Sequence, residues 1–108
     1  MNADEPLTIV GDGEQRRDFI YVGDVAEANI LAATLNLKKS DFGEVYNIGS
    51  GTNVSINEIA SYISENIKYI PAREGEVREN LANIEKVSRC LNWKPKLSIK
   101  EWTLSQLK

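Results

Sequence analysis

The sequence predicts the α/β fold class: a small mixed domain of about four short strands and four helices, one domain over residues 1–108. Three observations predict it. Runs of β-branched and aromatic residues, LTIV at 7–10 and DFIYV at 18–22, have the length and composition of strands. The spacings Asp24–Glu27, Ser55–Glu58 and Ser98–Glu101 are capping boxes, each opening a helical stretch. Strand-like and helix-like segments alternate, with polar Gly- and Pro-containing pieces between them. At 108 residues, surface scaling gives roughly 6,000 Å² folded against about 17,500 Å² extended, enough burial for one modest core.

The first strand, 7–10, is followed by GDGEQRR, where Asp12-Gly13 supplies a residue able to take positive φ. The spacing then predicts a strand over 18–22 and a helix over about 25–37, capped by Asp24, with Val25, Ala28, Leu31, Ala32 and Leu35 along one face. KKSDFGE reads as a turn, and EVYNIGSG as a short strand ending in a Gly-Ser-Gly turn. Ser55 caps a second helix over about 56–66, whose Ile56, Ile59, Ala60, Ile63 and Ile67 recur at helical intervals. KYIPA is a short strand closed by Pro71, and REGEVRENLA is a charged loop, long enough for a functional role. Asn83 caps a third helix carrying Ile84, Val87 and Leu91; after the WKP turn Ser98 opens a terminal helix with Trp102 and Leu107.

Composition narrows the chemistry. With 13 basic and 16 acidic residues, a net charge of −3 argues against a nucleic-acid or anionic-membrane binder working through bulk charge. No histidine is present, which excludes a Ser/His/Asp triad, a Cys/His pair and a His-ligated zinc site. The single Cys90, beside Val87, Leu91 and Trp93, reads as a buried small hydrophobe, and a reducing cytoplasm fits best. No metal site is expected. The start MNADEP lacks the charged and apolar regions of a signal peptide.

The two Gly-x-Gly pairs do not complete a dinucleotide motif: Arg16 stands three residues beyond Gly13, and Val54 three beyond Gly51. Four residues beyond Tyr21, Tyr46, Tyr62 and Tyr69 stand Val25, Ser50, Asn66 and Arg73, so no Tyr-x-x-x-Lys pair is present. What remains is binding chemistry. Arg16 and Arg17 precede a strand, and Arg73 and Arg78 flank the charged loop. Guanidinium forks from two such segments suit a diphosphate. The bland alternative is a self-neutralising surface loop in which Glu74 and Glu76 pair with Arg73 and Arg78. Trp93 and Trp102 read as core or inter-helix packing.

Taken in order, PLTIVGDGEQRRDFIYVGDVAEAN, GEVYNIGSGTNVSINEIA, PAREGEVREN and NWKPKLSIKE closely resemble the C-terminal third of extended short-chain dehydrogenase/reductase proteins. The resemblance is to the NAD-dependent nucleotide-sugar epimerase/dehydratase family, with UDP-glucose 4-epimerase-like members nearest, and it covers about residues 6–103. It implies that the N-terminal Rossmann half, with NAD and the Tyr/Lys pair, is missing, and that this chain is the substrate-binding part and binds no cofactor. It further implies that Arg17 and Arg73 hold the nucleotide diphosphate, that Glu76 meets the ribose hydroxyls, and that the backbone from Thr8 to Val10 lies along the base. No catalytic residue is implied. The substrate would be a nucleotide sugar, most simply a UDP-sugar, and the reaction 4-epimerisation or, alternatively, 4,6-dehydration. Apolar faces that pack on the Rossmann half in the family would be exposed here, so self-association is expected. A stand-alone nucleotide-sugar-binding or interaction module, and a fold fragment with no retained site, are the other readings. The chain departs from the family's usual wording at Gly23, where an acid is common, at Asn92 in place of Gly, and at EWTL in place of EGL.

Overall fold

A computed structural model describes residues 5–35 and 42–107. In chain order these form β1 (Leu7–Val10), β2 (Arg16–Arg17), α1 (Val22–Thr34), β3 (Val54–Ser55), α2 (Ile56–Ile63), β4 (Ile67–Ile70), α3 (Glu85–Leu91) and α4 (Ile99–Gln106). The small mixed α/β domain expected from the sequence is the one observed.

β1 pairs in parallel with β4, Leu7 opposite Ile67 and Val10 opposite Ile70. Within β1 the period of two puts Ile9 on the buried face and Thr8 and Val10 on the other. β2 pairs antiparallel with β3, Arg16 opposite Ser55 and Arg17 opposite Val54. On its other edge Arg16 N–H donates to the Arg78 carbonyl (2.9 Å) and the Arg16 carbonyl accepts from Asn80 N–H (3.2 Å), so the charged loop runs alongside β2. The core lies between α1 and α3: Val87, Leu91 and Trp93 are fully buried with Ala28, and Ile20, Leu31, Tyr46, Ile48 and Ile84 pack around them. α4 packs against α2. Two of the three capping boxes form as expected. Ser55 Oγ accepts from Glu58 N–H and Ser98 Oγ from Glu101 N–H, both at 3.1 Å.

Several expectations are corrected. The strand over 18–22 is β2, two residues earlier and shorter, because Asp18 N–H bonds the Asn80 side chain (2.8 Å) instead of a ladder partner. Asp24 does not cap α1. The helix starts at Val22 with Tyr21 as an N-cap that offers no side-chain bond, and the Asp24 carboxylate, in the first turn and buried, instead accepts from the backbone of Lys96 (2.9 Å) and Leu97 (3.2 Å). Residues 36–41, including the end expected for this helix and part of the following turn, lie outside the described residues. Along α1 only Ala28 and Asp24 are buried, and Ala32 and Leu35 are exposed. Val45–Ile48 forms no regular element and joins no ladder among the described residues. α2 ends at Ile63, and Ile67 belongs to β4 rather than to the helix. Asn83 Oδ1 accepts from Glu85 N–H at 3.0 Å, one residue ahead of the N-cap position held by Ile84. Cys90 is half-buried, and Trp102 is 41% exposed while Trp93 is fully buried. Trp93 Nε1–H donates to the Asp24 carbonyl at 2.8 Å.

Candidate functional site

The turn between β1 and β2 is tight because two of its residues are glycines. Gly11 and Gly13 both take positive φ (73° and 75°), and a Cβ on Gly13 would strike the Asn57 side chain at the start of α2. This turn faces the loop after β4. Between them lies a depression of about 280 Å³, lined by Val10, Asp12, Gln15, Arg73, Glu76 and Arg78 together with Gly11, Ala72 and Val77.

Of the residues read from the sequence, Val10, Arg73 and Glu76 line this depression. Arg17 meets it through Glu76: its Nη2 is 3.6 Å from Glu76 Oε1, and its Nη1 donates to the Arg16 carbonyl at 2.8 Å, which holds the guanidinium. Arg17 also lines a second cleft of about 280 Å³, shared with Ser50, Thr52, Tyr62 and the segment 95–101, and so stands between the two. Thr8 shares the face of Val10 on β1 but does not line the depression.

The four arginines divide. Arg16 is committed to Asn53, Nε to Oδ1 at 2.9 Å and Nη2 to the carbonyl at 2.8 Å. Arg78 pairs with Asp12 through two bonds of 2.8 and 2.9 Å, so the expected pairing of Arg78 with Glu76 or Glu74 gives way to one with the β1–β2 turn. The Arg78 hydrogen bond holds the Asp12 carboxyl at about 2, assisted by the Glu14 N–H. Arg73 has no ion-pair partner among the described residues, and Arg17 shares one carboxylate at 3.6 Å. Arg73 and Glu76 therefore line one depression, and the Arg17 fork, from a segment more than fifty residues away, reaches it through Glu76, an arrangement able to receive a phosphate beside a hydroxyl.

Three polar residues that shape this region were not singled out in the sequence. Gln15 is buried and donates to the Val10 carbonyl (3.0 Å) and to Glu76 Oε1 (3.3 Å). Asn53 bridges Arg16, Glu79 and the Asn80 carbonyl. Asp18 accepts from Ser50 N–H (2.7 Å), Ser50 Oγ–H (2.5 Å), Gly51 N–H (3.2 Å) and Ala82 N–H (3.1 Å). An amide or carboxylate in a polar stretch carries no periodicity to betray such a role, and only the segments' meeting in space reveals it.

The glycine turns do not fit a dinucleotide. Gly11-Asp12-Gly13 leads from one strand to another rather than into a helix, and its inner side is filled by Asn57. Gly49 closes on Ala82 and on the Asp18 carboxylate, whose Oδ2 lies 2.8 Å from where a Cβ would stand, the wrong charge for a pyrophosphate. Among the described residues no group of three or more His, Cys, Asp or Glu is placed to hold a metal ion, and no helix is long and apolar enough to cross a membrane.

Comparison with known proteins agrees with this architecture. The model of the NAD dependent epimerase/dehydratase family matches residues 1–49. A UDP-glucuronate 4-epimerase of Thermodesulfobacterium geofontis is 35% identical over 91% of this chain and 31% of its own length. The UDP-glucuronic acid 4-epimerase of Bacillus cereus, solved with UDP-glucuronic acid and NAD, superposes with a TM-score of 0.79 at 33% identity, over 97% of this chain and 37% of that one. A dTDP-glucose 4,6-dehydratase of Bacillus anthracis, solved with NAD, gives a TM-score of 0.80 at 27% identity, over 94% and 33%. This chain thus spans about a third of the length of the relatives it matches. By its motifs, its order of elements and these matches, the chain belongs to the NAD-dependent epimerase/dehydratase family.

Proposed function

We propose that this chain is the nucleotide-sugar-binding portion of an NAD-dependent UDP-sugar 4-epimerase, contributing position rather than bond-making, and not catalytic alone. The observation that carries the reading is the depression at the end of β1 that Glu76 and Arg73 line, with Arg17 on the neighbouring cleft and 3.6 Å from Glu76. In this reading Arg17 and Arg73 clamp the diphosphate, Glu76 accepts from the ribose hydroxyls, and the backbone of Thr8 to Val10 lies along the base. Holding the diphosphate while the sugar turns is a contribution of orientation. NAD and the proton-transferring Tyr/Lys pair belong to a partner N-terminal domain, in a cytoplasmic enzyme, and catalysis needs both parts. A 4,6-dehydratase is the second reading, favoured by the similarity to the dTDP-glucose enzyme.

The test is a calorimetric titration of the chain with UDP-glucose, UDP and dTDP-glucose. Saturable binding is expected, with Arg17→Ala and Arg73→Ala each weakening it by about 1.5–3 kcal/mol, the range for hydrogen bonds to charged groups. Absence of heat with every nucleotide, from protein shown to be folded, overturns binding by this chain alone. A preference for dTDP-glucose moves the assignment to the dehydratase.

A further inference from the structure

We propose that Gln15 is a positioning residue that makes the site prefer a ribonucleotide to its 2′-deoxy counterpart, by holding the Glu76 carboxylate ready for the sugar hydroxyls; the inference rests on the nucleotide-sugar reading above. Gln15 is only 6% exposed, although it sits in a polar turn. Buried amides keep partners, and both donors of this one have them. Nε2 donates to the Val10 carbonyl at 3.0 Å and to Glu76 Oε1 at 3.3 Å.

The amide is anchored on the more rigid side of that contact. The Gln15 backbone carbonyl accepts from Ile56 N–H at 3.1 Å, and the next residue, Arg16, is hydrogen-bonded on both edges of β2. Glu76 belongs instead to the exposed loop following β4. Its Oε1 receives Gln15 at 3.3 Å and faces Arg17 at 3.6 Å, while among the described residues no hydrogen bond reaches Oε2. One oxygen is thus engaged, while the other carries no hydrogen bond on a residue that lines the depression.

An ionised carboxylate only accepts, so what it selects is a donor. With the Arg17 guanidinium beside it, the matching ligand carries hydroxyls close to a phosphate, as a ribose 5′-diphosphate does. Removing the 2′-hydroxyl leaves a held acceptor short of a donor, which a built polar site rejects more strongly than an apolar one would. A carboxylate in place of the Gln15 amide would instead face Glu76 as a like charge.

The experiment titrates the wild-type chain, Gln15→Met, Glu76→Gln and the double variant with UDP and with 2′-deoxy-UDP, with circular dichroism melts to verify folding. The wild type is expected to bind UDP about ten- to a hundredfold more tightly than 2′-deoxy-UDP. Gln15→Met and Glu76→Gln each bring that ratio toward one, and in the Glu76→Gln background Gln15→Met changes it no further. A merely structural Gln15 would weaken both nucleotides equally and leave the ratio unchanged. Glu76 is exposed, so Glu76→Gln tests the selectivity even if Gln15→Met fails to fold. UDP binding with an unaltered ratio in Glu76→Gln, or in a folded Gln15→Met, overturns the inference alone. A wild-type chain that binds neither nucleotide overturns the site reading and this inference together.

Discussion

Asp18 joins three pieces of chain through one side chain: the end of β2, the Gly49–Gly51 turn and the backbone at Ala82. Burial disfavours its charge, but the Ser50 hydroxyl and the N–H groups of Ser50, Ala82 and Gly51 outweigh that and hold its carboxyl below the usual range. A carboxyl whose pKa is lower folded than unfolded stabilises the protein above its unfolded pKa, near the ordinary carboxylate value, and that stability is lost as pH falls through the folded one. Asp18→Asn turns an acceptor into a partial donor facing four donors. It is expected to lower the melting temperature at pH 7, with the gap from wild type narrowing below about pH 4; parallel melts across pH check this, and a gap independent of pH contradicts it. The arginines flanking this network were legible in the sequence because a guanidinium before a strand suggests anion binding. Which of them were available was not. Only the three-dimensional pairing of Arg16 with Asn53 and of Arg78 with Asp12 leaves Arg17 and Arg73 as the candidates for anion binding.

At the scale of elements, helix starts were read well where the cap is local and poorly where the acid serves something distant. Ser55 and Ser98 close bonds within their own first turns, so their spacing suffices to find them. Asp24 has the same spacing but is bound by residues more than seventy positions away, and nothing near it in the sequence announces Lys96. Strands shifted for a related reason: two- and four-residue ladders are fixed by their partners more than by their own propensity. The C-terminus of α3 explains one departure from the family wording. Asn92 takes the left-handed conformation (φ 52°), the position where glycine is at ease. Two substitutions should therefore act in opposite directions. Ser55→Ala removes a cap and costs about 1 kcal/mol, whereas Asn92→Gly relieves the left-handed residue and gains about 0.5 kcal/mol. Urea unfolding of the two variants measures both, and a stabilising Ser55→Ala or a destabilising Asn92→Gly would contradict the assignment of these ends.

The whole molecule is thin, with principal extents of 54 × 35 × 16 Å and a radius of gyration of 17.3 Å, against about 13 Å for a compact chain of this length. Its accessible surface is 7788 Å², well above the roughly 6,000 Å² of a compact monomer. Val22, Ile30, Phe42 and Val45 are among the large apolar residues left exposed, at 61–77%. A single modest core was legible in the composition, but a slab with so much apolar surface was not, because pattern reports which residues are apolar and not how many of them find cover. The expected outcome is self-association: light scattering at high micromolar concentration should give a mass above that of one chain, and a strict monomer would show that this surface is tolerated in water. The parallel ladder of β1 and β4 adds a kinetic consequence. Leu7 cannot meet Ile67 until the 59 residues between them have been made and gathered. The first strand must therefore wait for the fourth, so the edge at Val10 is assembled late, after α1 and α2 are free to form from local contacts.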